Sequence, residues 1–525
     1  MIVTQTLSAR LDRAIAELPN AYPGPGGAVA VVHRGEVLVR HAWGFANAEL
    51  RIPFTPRSLF RMCSITKQFT CATLLDLFPD PAVLDADVKA QLPLVQGARP
   101  GAAHLAHNQS GLRDYWAIAM LLGAPAESPF GDHESDTVIR ATRSLQFTPG
   151  TRFSYSNNNF RILSDILERR TGQSFADLLR TRIFDRVGME TAFLAADTRA
   201  MPDGSEGYEG SVAAGFRPAE NRILWTGDAG LGASLDDMIA WERYIDATRD
   251  EPDSLYGRIS APVSFADGTP ATYGHGLARG VDRGRTFTAH GGALRGWRSN
   301  RIHLPEERLS VVVMLNHLSH AHLAMASVVD AVLGLEPVAV NVEAPRPDWL
   351  GAWREPETGL ALRAELVAPG QVRVQFGHSP EVLALQPDGS AGSPGMRLVP
   401  DGAGLRLERP GDNLRASLQR LPEAGGNRGL DVAGSYACAE LEARLTLADA
   451  GGALYGAFSG PLGRGRMEQL TQVAADVWAL PCPRALDHTP PGDWTLAIRR
   501  DGQGRPEGIT LGCWLARNLD YRRVG

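Results

Sequence analysis

A chain of 525 residues, 44% hydrophobic and 21% charged, has the composition of a soluble globular protein and is too long for one ordinary domain. A net charge of −6 without basic clusters argues against nucleic acid as a partner, and no apolar run is long enough to span a bilayer. The five cysteines, odd in number and without C-x-x-C or Cys/His ligand spacing, argue against a disulfide framework and a structural zinc.

The opening residues, MIVTQTLSARLDRAIAELPN, are amphipathic and lack a basic stretch ahead of an apolar core. They predict a first helix rather than a secretion signal, and with it a cytoplasmic location. Residues 24–47 predict a hairpin turning at Arg34-Gly35. Residues 63–78 predict a helix, because Phe69, Leu74, Leu77 and Phe78 recur at helical spacing. Residues 102–240 read as mostly helical, with two amphipathic helices over 160–184 split at Thr171-Gly172. From 286 the strand pattern returns in TFTAHGG, GWRSNRIHL and RLSVVVMLNH, followed by a closing helix over 322–335.

This order predicts an α+β domain over residues 1–335, with an antiparallel sheet built from both ends and the helical region inserted. A Pro-rich linker spans 336–347. Short alternating strands with Gly, Pro and Asp turns over 348–421 and again over 422–525 predict two small antiparallel β-barrels.

Three short motifs carry chemistry. Ser64-Ile65-Thr66-Lys67 opens the predicted helix, and residues three apart share a helix face, so hydroxyl and amine can meet. A serine becomes a nucleophile only beside a base, and a buried lysine can serve once its pKa has fallen. A helix N-cap serine with a surface lysine would read the same. The composition argues for the chemistry: of the 53 Lys and Arg residues only Lys67 and Lys89 are lysines. Arginine supplies charge everywhere else, and arginine cannot lose a proton.

Tyr155-Ser156-Asn157 reads as a loop before a helix. A tyrosine oxygen there could share proton transfer, and an Asn amide could hold a substrate carbonyl or the lysine. A turn and N-cap cluster fits as well. His290-Gly291-Gly292 reads as the end of a strand, where glycines let a substrate backbone lie close and the histidine can act near a leaving group. An ordinary strand-ending turn is the alternative. Cys63 packs as a small apolar residue, Asp228 to Gly232 resembles a loop beside a pocket or a plain Gly-rich connection, and Asp236-Asp237 starts a helix.

In this order, S-x-x-K, Y-x-N and H-x-G resemble the three boxes of the penicillin-recognising serine hydrolases, in the class C-like branch. The third box departs from K-T-G, which argues against recognition of a substrate carboxylate by a lysine there, and with it against penicillin-type β-lactamase activity. GPGGAVAVVHRGEV, SITKQFTCA, NQSGLRDYW, WTGDAG and HGGALRGWR resemble bacterial D-aminopeptidases, and the likeness runs into the β-domains.

That resemblance implies a β-lactamase-like catalytic domain followed by two antiparallel barrels, a homodimer, no metal and no cofactor, with β-lactams as inhibitors. It implies Ser64 as nucleophile, Lys67 and Tyr155 as proton carriers and His290 completing the site. It implies that a loop of the last β-domain, residues 483–493, sets specificity, with Asp487 receiving the substrate's free ammonium. The substrate would be a small peptide, amide or ester with an N-terminal D-residue such as D-Ala, D-Ser or Gly. A D-amino-acid amidase, esterase or D,D-peptidase would keep the same chemistry. A penicillin-binding sensor would acylate and then fail to turn over.

Overall fold

The computed structural model describes residues 2–336, 346–377, 380–402, 404–423, 430–483, 486 and 492–524. An eight-stranded antiparallel sheet is the floor of the N-terminal part. Its strands are β1 (Gly26–His33), β2 (Glu36–Asn47), β3 (Ile52–Pro53), β4 (Tyr273–Gly274), β5 (Leu277–Asp282), β6 (Arg285–Leu294), β7 (Trp297–Leu304) and β8 (Leu309–Leu315). Their spatial order is β3-β2-β1-β8-β7-β6-β5-β4. The two ends of the segment meet where β1 pairs with β8, with Val31 opposite Val311.

Both central strands are apolar on both faces, because both faces are covered. Val29, Val31, Val311, Val313 and Leu315 point to one core, closed by α1 (Ile2–Ala21) and the closing helix α6 (Ala321–Leu333). Ala28, Ala30, Val32, Val312 and Met314 point to the other core, under the inserted helices. Those helices include α2 (Thr66–Leu77), α3 (Tyr115–Leu121), α4 (Asn157–Thr171) and α5 (Leu235–Ala247). After α4 a short helix, Phe175–Leu179, runs into a π turn over Arg180–Phe184.

Two differences from the sequence reading bear on function. The helix expected over 63–78 begins as a 3₁₀ turn, Cys63–Ile65, and becomes α-helical only at Thr66. The strand expected to end at His290-Gly291-Gly292 runs on to Leu294. It does so because pairing with β7 continues to Leu294 opposite Trp297, whereas pairing with β5 stops at Ala289. No strand among the described residues pairs with positions 290–294 on the β5 side, so that edge is open.

Eight strands from Gly351–Arg354 to Leu414–Arg420 close into a barrel, Trp353 pairing with Arg420. The last strands, from Gly434–Cys438 to Ala516–Arg523, form a ten-stranded antiparallel sheet that is not closed among the described residues. This last sheet docks on the helical region: the Asp114 N–H donates to the Leu515 carbonyl (2.9 Å), and Arg113 pairs with Glu440 (3.0 Å). Among the described residues no helix is long and apolar enough to cross a membrane.

Candidate active site

Ser64 lies in the 3₁₀ turn, wedged between the sheet and the inserted helices. Cys63 just before it is in the left-handed region (φ 52°), a conformation non-glycine residues hold only when their surroundings fix it. The surroundings do so. The Met62 N–H donates to the Leu231 carbonyl (2.9 Å), and the Leu231 N–H donates to Thr66 Oγ1 (2.9 Å). From below, β6 presses close at Gly292, where a Cβ would lie 2.3 Å from the Met62 carbonyl oxygen and 2.3 Å from Ser299 Oγ. Gly276 (φ 75°) makes a similar approach to α2, a Cβ there lying 2.4 Å from the Lys67 carbonyl carbon.

Lys67 sits one turn further on and is fully buried. Its Nζ has three polar neighbours: Ser64 Oγ at 3.1 Å, Asn157 Oδ1 at 2.8 Å and the Asp228 carbonyl at 2.6 Å. The last two can only accept. A neutral amine has two N–H groups and one lone pair. With both N–H groups given to Asn157 and Asp228, the lone pair points at Ser64. Burial pulls the amine down to about 8, although Asp228 and Asp114 work against the shift.

Two buried acidic residues hold this arrangement from behind. Asp114 accepts from the Asn157 backbone N–H (2.7 Å) and from Asn157 Nδ2 (2.8 Å). Burial raises its carboxyl to about 6, against the pull of those hydrogen bonds. Asp228 is fixed so that its carbonyl faces the lysine: Oδ1 takes the Thr226 N–H (3.0 Å) and Oδ2 takes the Tyr115 hydroxyl (2.5 Å).

Tyr155 faces the Ser64–Lys67 pair, its ring centroid 4.8 Å from Lys67 Nζ. Burial pushes its phenol far up, so it remains a proton donor. His290 shares a face of β6 with Gly292, the face that meets the nucleophile turn. Its Nδ1 is 2.7 Å from the Gly291 carbonyl, which can only accept, so Nδ1 carries the proton. Nε2 therefore accepts from the Tyr273 hydroxyl at 3.0 Å. Burial and the nearby Lys67 pull the imidazole down to about 3, and it is neutral.

The structure thus brings Ser64, Lys67, Tyr155 and Asn157 into one polar cluster, with His290 one ring away: the Tyr155 and His290 centroids are 6.3 Å apart. The Asn157 amide is turned to Lys67 and Asp114. Asp487 lies outside the described residues. Of the stretch around it, Leu486 is buried in the core with φ 53°, and Asp493 stands 3.8 Å from Arg363. Asp114, Tyr115, Asp228 and Tyr273 were not singled out as site residues from the sequence. Asp114 and Asp228 lie in NQSGLRDYW and WTGDAG, segments that carried the resemblance, which was the available signal.

Chemically, the cluster offers a hydroxyl beside a buried amine drawn down to about 8, a protonated phenol and an open strand edge. The turn at Ser64 and the open edge of β6 supply backbone N–H groups of the kind that hold an oxyanion. That is the equipment for acyl transfer through a serine ester.

Comparison with known proteins agrees. Residues 11–332 match the Beta-lactamase family, and residues 342–522 match D-aminopeptidase, domain B. A D-aminopeptidase of Gluconobacter oxydans (strain 621H) is 58% identical over 99% of this chain and 100% of its own. A D-aminopeptidase of Brucella canis is 46% identical over 98% of each chain. Among solved structures, an octameric penicillin-binding protein homologue from Pyrococcus abyssi shares the fold with a TM-score of 0.53, at 20% identity over 78% of this chain and 99% of that one. The D-amino acid amidase from Ochrobactrum anthropi SV3 gives 0.50 at 20% identity, over 63% and 98%. The chain belongs to the D-aminopeptidase family of penicillin-recognising serine hydrolases, with a β-lactamase-like domain ahead of domain B.

Proposed function

We propose that this protein cleaves the amide bond after a free N-terminal D-residue, through an acyl-enzyme on Ser64. The observation that carries the reading is the amine of Lys67, aimed at Ser64 Oγ from 3.1 Å by two acceptors that occupy its other positions. Lys67 Nζ takes the Ser64 proton as Oγ attacks the carbonyl carbon. The oxyanion is held by backbone N–H groups, Ser64's own among them; one such donor is worth about 3 kcal/mol. The amine leaves with a proton delivered by Tyr155, which is replenished from the Lys67 ammonium. Water, deprotonated by the same amine, then releases the D-amino acid and restores Ser64. His290 remains neutral throughout and positions Tyr273 beside Tyr155, whose ring centroid is 6.3 Å away.

Asp487 is the proposed partner of the substrate ammonium; in sequence it falls between the strands Val477–Leu480 and Trp494–Arg500. We further propose a homodimer working in the cytoplasm. The outer edge of β2 supports an intermolecular contact: among the described residues only Phe45 and Asn47 pair outward, and Val37, Leu38 and Phe45 are exposed. Mass measured by light scattering tests it, and a monomer at micromolar concentration counts against it.

The substrate claim is tested with D-alanine p-nitroanilide and its N-acetyl derivative. Turnover confined to the free amine, and weakened by Asp487→Ala, is the expected result. Equal turnover of the acetylated compound would leave an amidase or esterase in place of an aminopeptidase. Release from a C-terminal D-Ala-D-Ala instead would make it a D,D-peptidase.

A further inference from the structure

We infer that Asp114 is a positioning residue that fixes which end of the Asn157 amide faces Lys67, and that the last β-sheet holds Asp114 in place. The inference rests on Lys67 being the base of the proposed hydrolase. A primary amide has an accepting end and a donating end of nearly equal size. Turned one way, Asn157 accepts from Lys67; turned the other way, it would set its NH₂ against an N–H. A single oxygen decides between them. Asp114 Oδ2 accepts both the Asn157 backbone N–H and Nδ2, and a carboxylate can only accept, so Oδ1 must face the lysine.

Helix capping alone does not account for this residue. Oδ1 of Asp114 caps α3 through the Trp116 N–H at 3.0 Å, and that bond needs only one oxygen. The other oxygen is spent wholly on Asn157. Asp114 is fully buried and is anchored from outside the catalytic region. Its N–H donates to the Leu515 carbonyl, in the turn joining the strands Pro506–Cys513 and Ala516–Arg523. The neighbouring Arg113 donates to the Arg517 carbonyl (3.0 Å), in the last strand of that sheet, and to Glu440 (3.0 Å), in the turn after its first strand. The last sheet therefore reaches the base of the reaction through Leu515, Asp114 and Asn157 in turn, separately from the 483–493 stretch.

The groups facing Lys67 can be named. Cys71 lies on α2 with it, Cys63 and Ser64 on the preceding 3₁₀ turn, Tyr155 just ahead of α4 and Asn157 at its start, Asp228 on the opposite loop and His290 on β6; Asp114 completes the set. Asp114 and Asp228 are the carboxylates among them, and both favour the ammonium form. Replacing Asp114 by Asn removes one of these charges and keeps an oxygen that can serve Asn157 once the NH₂ turns to the Trp116 side and the helix cap is given up; replacing it by Ala removes both charge and acceptor.

Only two lysines occur in the chain, so lysine labelled with ¹³C at Cε gives Lys67 and Lys89 as two separable signals. This titration needs no turnover, so it stands even if the substrate assignment fails. In Asp114→Asn and Asp114→Ala the Lys67 inflection is expected to move to lower pH, with Lys89 unmoved. On any amide or ester that the wild type hydrolyses, Asp114→Ala should lower kcat about tenfold or more, with KM nearly constant. Asp114→Asn should retain most of the rate. The Asp114→Ala loss should vanish in an Asn157→Ala background, because the two act in series. A Lys67 inflection unmoved in folded variants, or losses that multiply in the double variant, would overturn the inference. Loss of all hydrolysis in the wild type would sink the hydrolase reading instead, and would leave the titration to judge Asp114.

Discussion

Lys67 Nζ and Ser64 Oγ stand 3.1 Å apart across one turn of chain, and the two remaining hydrogen-bond partners of the amine are acceptors. The pair is therefore set up for proton transfer from hydroxyl to amine. Lys67→Arg keeps the charge and the donors but cannot lose a proton. It is expected to lower kcat/KM by roughly 10³ or more, close to the effect of Ser64→Ala, as for groups that act as one unit. Steady-state kinetics on folded variants check this. An arginine variant within tenfold of wild type would remove Lys67 as base.

The pH dependence follows from the same pair. A base must be neutral to act, and burial holds Lys67 at about 8. Below that value kcat/KM should fall tenfold per pH unit; above it the Lys67 limb levels off, and loss of the substrate's own ammonium, whose free value is about 8, should lower kcat/KM again on the alkaline side. His290, held at about 3, contributes no limb in the working range, and Tyr155, pushed far up, contributes none below the alkaline extreme. A profile of kcat/KM from pH 5.5 to 9.5 measures the limb directly. A limb near 6 would point to another group.

Tyr155→Phe keeps the ring against Tyr273 and Lys67 and removes only the hydroxyl. If that hydroxyl protonates the leaving amine, the loss should be about 10² to 10⁴ on an amide. It should be much smaller on an ester with a good leaving group, which departs without a proton. Equal losses on both would confine Tyr155 to attack rather than departure.

The scaffold under the site can be tested by stability. Arg301 on β7 and Glu242 on α5 form a two-pronged pair (2.6 and 2.7 Å) with neither side chain exposed. Glu242→Ala leaves an unpaired buried guanidinium, and such losses cost about 3–5 kcal/mol. Urea or thermal unfolding should show it. A change under 1 kcal/mol would mean that the cavity takes up water around Arg301.

The sequence made the nucleophile and its base legible because they sit three residues apart and because lysine is otherwise nearly absent. Tyr155 and His290 could be proposed from their order along the chain. Asp114 and Asp228 were not legible as site residues. Asp228 acts on Lys67 through a backbone carbonyl, which any residue type could present, and Asp114 acts through Asn157, 43 positions away. Tyr273 was missed because its partner is a histidine nitrogen across a sheet corner. The strand at His290 read as ending because Gly-Gly looks like a turn. In the fold, those glycines are where the nucleophile turn presses on a continuing strand.

The most direct measurement compares kcat/KM for the p-nitroanilides of D-alanine and L-alanine on the wild type, with Ser64→Ala as control. Turnover of the D-compound, little or none of the L-compound, and loss of both in the variant is the predicted result. Comparable turnover of the two enantiomers, or activity that survives Ser64→Ala, would contradict a D-stereospecific serine aminopeptidase.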